Sequence, residues 1–129
     1  MNPTDFILVP VSLGELIDKI TILEIKKQHL KGNALENVCN ELYALTKTLE
    51  SLKVSIDNTL IQRLKKVNQN LWRIEDSIRD HERAKSFGES FILLARSVYQ
   101  MNDQRATIKK EINITYGSAF IEEKSYSKY

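Results

Sequence analysis

The sequence predicts an all-α protein: an antiparallel four-helix bundle with a long hairpin made by its third and fourth helices and extended segments at both ends. Three observations predict it. Glycine and proline are sparse, four and two in 129 residues, and both prolines precede residue 11, so little interrupts a helix in the middle of the chain. Apolar residues recur at steps of three and four through four successive stretches, the period of a helix with one buried face. The breaks between these stretches are only a few residues long, which sets consecutive helices antiparallel.

The first helix is expected to start at Ser12. Ser12 and Glu15 have the S-x-x-E spacing of a capping box, and Val11 and Leu16 stand at the positions of a hydrophobic staple. It runs to about Lys31, where Gly32 takes a left-handed conformation and reverses the chain. Asn33 and Glu36 repeat the capping pattern for a second helix, Ala34 to about Lys53, with Leu35, Val38, Leu42, Leu45, Leu49 and Leu52 on one stripe. Asp57 caps the third. From there Leu60, Leu64, Val67, Leu71, Ile74 and Ile78 keep the rhythm of a coiled-coil seam to about Lys85, a helix roughly 40 Å long at 1.5 Å per residue. Phe87 and Gly88 turn the chain into a fourth helix carrying Phe91, Leu94, Val98, Met101, Ile108 and Ile112, which Gly117 ends. Residues 118–129 read as a tail on a single domain spanning 1–129. Ile7 to Val11 is the one strand-like piece, and Ala119, Phe120 and Ile121 are its expected partner.

Composition excludes several classes of function. With 42% hydrophobic and 28% charged residues in 129, the chain buries about two-thirds of its unfolded surface without disulfides or a structural metal. Cys39 is expected as a reduced core thiol on the second helix, as suits a cytoplasmic protein. Nineteen basic against 17 acidic residues leave a charge of +2, too weak a field for a dedicated nucleic-acid binder. No apolar run approaches the ~20 residues of a membrane span, so no membrane insertion is expected.

Candidate site residues are those that break the helical pattern. Asn102 and Arg105 share a face with Val98, Met101 and Ile112, and a guanidinium in a core stripe needs an acid or a bound anion opposite it. Glu24 falls on the apolar stripe of Ile17 and Ile20 and is the expected partner of Arg105, with Lys27 as a local alternative. Such groups either fix helix register or bind a ligand. On the third helix Asn68, Trp72, Glu75 and Arg79 form a polar and aromatic stripe, readable as a pocket wall or as a surface ion pair beside an edge tryptophan. Asp103, one turn after Tyr99, extends the polar side of the fourth helix, and Tyr126 in the tail offers an aromatic anchor for docking. His29 and His81 lack a second ligand at metal spacing, the acids are scattered, and there is no glycine-rich phosphate loop or nucleophile elbow. The reading therefore assigns no catalytic residue, metal or cofactor.

The segments SLGELIDKITILEIK (12–26), LWRIEDSIRDHE (71–82), FILLARSVYQMNDQRATIKKEIN (91–113) and EEKSY (122–126) resemble a small bacterial family of helical proteins catalogued as a domain of unknown function. The NDQRA centre and the EEKSY tail are the most distinctive parts. The resemblance implies a cellular context beside glycosyltransferases and surface-polysaccharide genes, and no mechanism. Together these readings point to a non-enzymatic binding or assembly module with a protein partner or a second copy. The alternative is a small helical enzyme or binder that holds an anionic metabolite with Glu24, Glu75, Asn102 and Arg105.

Overall fold

The computed structural model describes residues 6–129 and contains four helices: α1 (Leu13–His29), α2 (Gly32–Ser51), α3 (Asn58–Arg83) and α4 (Glu89–Thr115). The chain folds as an all-α helical bundle. α1 packs against each of the other three helices, α3 pairs with α4, and α2 rests on α1. That central position explains the composition of α1, in which Leu16, Ile17, Asp18, Ile20, Thr21, Leu23 and Ile25 are all buried. Ile17 meets Leu60, Leu64 and Val67 of α3 and Ile108 and Ile112 of α4 in the core.

The N-terminus of α1 is closed by groups from the far end of the chain. Helix starts leave backbone amides without intrahelical partners. Here the Leu13 amide donates to Ser118 Oγ (3.1 Å), the Gly14 amide to Asn113 Oδ1 (2.7 Å) and the Glu15 amide to Ser12 Oγ (3.1 Å). Gly14 is required by proximity: a Cβ there would lie 2.6 Å from the Lys109 carbonyl oxygen. The expected Ser12 cap is therefore present, while the Glu15 carboxylate turns to Lys109. Asp57 caps α3 through the Thr59 amide, and its own amide donates to the Tyr116 hydroxyl (2.6 Å), tying the start of α3 to the end of α4.

Three local expectations are corrected. α2 starts at Gly32 with Lys31 as its cap residue and no side-chain cap bond, so the Asn33 and Glu36 pattern falls inside the helix. Gly32 is left-handed (φ 62°) as expected, and it reverses the chain so tightly that the helix begins at once. The strand pairing does not form, and among the described residues there is no strand. Phe6 and Leu8 stay 77% and 89% exposed, because Ser118 is pinned at the α1 start and ion pairs then draw the tail along α4. Cys39 is half-buried rather than in the core, since α2 packs only on α1.

α3 and α4 outrun α1. His29, the last residue of α1, stacks on Trp72 with ring centroids 4.7 Å apart. Residues 73–83 of α3 therefore project about 16 Å further, at 1.5 Å per residue, as a two-helix hairpin. Its seam residues Ile74 and Ile78 are half-buried, whereas Leu60, Leu64 and Val67 below are buried and Leu71 packs on that core. The hairpin turn ends α3 with the Ser86 amide bonded back to the His81 carbonyl (2.9 Å) and Lys85 in a left-handed conformation (φ 55°), a geometry that favours glycine. Lys85→Gly is expected to raise the unfolding free energy by roughly 0.5–1 kcal/mol, the left-handed penalty of a side chain less the added chain entropy of glycine. Urea denaturation followed by circular dichroism measures it.

Candidate functional site

A polar cluster crosses the otherwise apolar junction of α1, α3 and α4. At its centre is the Asp18 carboxylate, with no solvent exposure. Arg105 Nε donates to Asp18 Oδ1 at 2.9 Å and its Nη2 donates to Oδ2, a two-pronged contact that matches guanidinium to carboxylate geometry. Asn68 Nδ2 donates to Asp18 Oδ1 and to Thr21 Oγ1, both at 2.9 Å. One turn along α4, the Lys109 ammonium lies 2.6 Å from Glu15 Oε2, 2.9 Å from Glu122 Oε2 of the tail and 4.0 Å from Asp18 Oδ2. Each buried charge thus has an opposite charge in contact, the condition under which such groups are tolerated in an interior.

The electrostatics follow from these contacts. The hydrogen bond to Asp18 outweighs burial and holds Arg105 above the ordinary guanidinium value. Burial pushes the Lys109 ammonium down, but Glu15 and Glu122 together overcome it and its pKa is raised. Lys124, and then Lys109, pull the Glu122 carboxyl down to about 2. The tail is held along α4 by these pairs, by Lys110 to Glu123 at 3.3 Å, and by Tyr129, whose hydroxyl donates to Asp103 at 2.5 Å while its ring meets Tyr99 edge-on. That hydrogen bond to Asp103 raises the Tyr129 phenol pKa.

The structure brings most of the residues singled out from the sequence to one or other side of Arg105. On one side a cleft of about 510 Å³ is lined by Ile22 and Ile25 of α1, by Asn68, Leu71, Trp72, Glu75, Asp76 and Arg79 of α3, and by Arg105. On the other a cleft of about 430 Å³ between α4 and the tail is lined by residues including Asn102, Asp103, Arg105, Lys109, Glu122 and Tyr126. Asn102 and Asp103 are exposed on that side, and Tyr126 is 80% exposed. Glu75 and Arg79 form the one-turn ion pair at 2.5 Å.

Glu24 is the exception. It bonds Lys65 of α3 at 2.8 Å, and the partner of Arg105 is Asp18. The expected Glu24 to Arg105 pair is thereby corrected, and so is local neutralisation of Glu24 by Lys27. The physical reason is the central position of α1: a helix packed on three sides has more than one inward face. The stripe of Ile17, Ile20 and Glu24 leads toward α3, while Gly14, Asp18 and Thr21 form a second stripe against α3 and α4. Sequence reasoning missed Asp18, Thr21, Lys109 and Asn113. For Asp18 and Thr21 the signal was the step of four and three from Gly14 through Asp18 and Thr21 to Ile25; Lys109 and Asn113 follow Arg105 at steps of four on α4.

The site thus combines a buried three-helix ion pair with the NDQRA segment and the folded-back tail. The chain belongs to a family of unknown function, DUF6165. The family's sequence profile matches residues 7–129, which takes in all four helices, both clefts and the tail. No curated protein and no solved structure matches the chain.

Two predictions test the cluster. Arg105→Leu strips Asp18 of its cation and is expected to cost about 3 kcal/mol of stability; Asp18→Asn added to it removes the stranded charge and recovers part of that loss, both read by urea denaturation. Glu122, depressed from 4.5 to about 2 in the folded chain, stabilises the docked tail at pH above 4.5 and loses that contribution as pH falls from 4.5 toward 2. The Tyr129 ring signals in a proton NMR titration are expected to move to unstructured positions over that window, and earlier in high salt.

Proposed function

We propose that this chain is a non-enzymatic helical assembly module, in which the free part of the α3/α4 hairpin packs against that of a second copy. The observation that carries the reading is the seam. Ile74 and Ile78 of α3 continue the stripe of Leu60, Leu64, Val67 and Leu71 beyond the core, and Phe91, Leu94 and Val98 of α4 lie half-buried beside it. Two helices cannot enclose such a stripe, and four can. The charges favour a second copy over a charged partner, because Glu75 pairs with Arg79, Asp80 with Arg83 and Glu82 with Lys85 within the hairpin. The surface therefore has little net field with which to select a basic or acidic protein.

The alternative of an enzyme or anion binder built on Glu24, Glu75, Asn102 and Arg105 has less support. Glu24 is engaged with Lys65, and Asp18 already neutralises Arg105. A surface-polysaccharide context and a cytoplasmic location belong to the proposal on the resemblance and composition alone. No described helix is long and apolar enough to cross a membrane.

Light scattering at micromolar concentration is expected to give twice the 14.9 kDa chain mass. Ile78→Asp, placing a charge in the half-buried seam, is expected to return the chain to a monomer with its helical circular dichroism intact. A monomeric wild-type chain overturns the reading.

A further inference from the structure

We infer that the cleft beside Trp72 is a binding site for an organic ammonium ion carried on an apolar body. The inference is independent of self-association and rests on how the charges of this cleft are matched. Two of its cations are already satisfied: Arg105 by Asp18 behind it, and Arg79 by Glu75 on its own helix. Asp76 is the one charged group of the lining with no ion-pair partner among the described residues. The cleft therefore offers one unmatched negative charge and no unmatched positive one, which disfavours an anionic ligand.

The shape supplies the rest. Asp76 follows Trp72 by four residues on α3, so the carboxylate and the indole stand one turn apart on one face. His29 stacks on one face of the indole, and an ammonium ion between Asp76 and the other face gains both the ion pair and attraction to the ring, the strongest of the aromatic side chains for a cation. Ile22, Ile25 and Leu71 line the same cleft and provide apolar surface for a hydrocarbon body. With Arg105 neutralised by Asp18, Asp76 alone sets the end of the cleft at which the ligand's charge sits. A volume of about 510 Å³ is in the range of small-molecule pockets.

Trp72 is the single tryptophan of the chain, so its fluorescence reports directly on this cleft. Titration of the full chain with hexylammonium chloride, at constant ionic strength, is expected to change the emission saturably, while hexanoate, of similar size and opposite charge, is not. Asp76→Asn, an exposed substitution, is expected to weaken hexylammonium binding at least threefold. Nα-acetyl-lysine methylamide carries the same ammonium on a peptide unit and is expected to bind more weakly than hexylammonium. The inference is overturned if neither salt saturates, if hexanoate binds as well as hexylammonium, or if Asp76→Asn binds like the wild type. Tighter binding of the lysine compound also overturns it, by assigning the cleft to a protein lysine rather than a free amine.

Discussion

The bundle depends on the contact between Asp18 and Arg105. A carboxylate with no solvent exposure costs several kcal/mol to desolvate. The compensation comes from two other helices at once, Arg105 from α4 and Asn68 from α3, and the same Asn68 amide also donates to Thr21 on α1. It exists only when those helices stand in one register. An apolar junction of Leu and Ile would tolerate a slide of one turn, whereas here a slide strands a buried charge. A buried ion pair often does no better for net stability than the apolar residues that would replace it, so what this contact imposes is a geometric requirement on three helices.

The same constraint organises the neighbouring helix ends. Register at Asp18 brings Gly14 against the Lys109 carbonyl, too close for any side chain, and lets Asn113 and Ser118 take up amides at the start of α1. Lys109 is then left between Glu15 and Asp18, and Glu122 of the tail completes its surroundings. The tail is held mainly by exposed ion pairs and hydrogen bonds. Contacts of that kind are individually weak and screened by salt, so the tail is held weakly although it reaches the buried cluster through Lys109.

Much of the architecture was legible in the sequence because it rests on local rules. The Ser12 and Asp57 caps, the left-handed Gly32 and Gly117, and the seam of α3 all follow from backbone geometry or from the helical period. Arg105 was also visible, because a charged residue in an apolar stripe is a local anomaly, and Asn68 because it stands one turn from Trp72 on a polar and aromatic stripe. The failures lie where periodicity loses its meaning. On α1, buried around most of its circumference, the narrow solvent side at Lys19 does not tell the inward faces apart, so Glu24 looked internal and Asp18 was passed over. The failed strand pairing has a similar origin, since an apolar run near each terminus does not reveal that ion pairs lead the tail elsewhere.

By itself the sequence determined that the chain is four amphipathic helices in a bundle, that the third and fourth are long, and that Arg105 must have a partner. These are properties of period, capping and the cost of burying a charge, each set by residues within a few positions of one another. Tertiary structure alone decided which acid answers Arg105, that α1 occupies the centre, and that the stripe of Trp72, Glu75 and Arg79 opens on the same guanidinium as the face of Asn102 and Asp103. Those outcomes depend on Asp18 and Arg105, 87 residues apart, meeting across an interface. No local spacing encodes which of several inward faces a central helix turns to each neighbour.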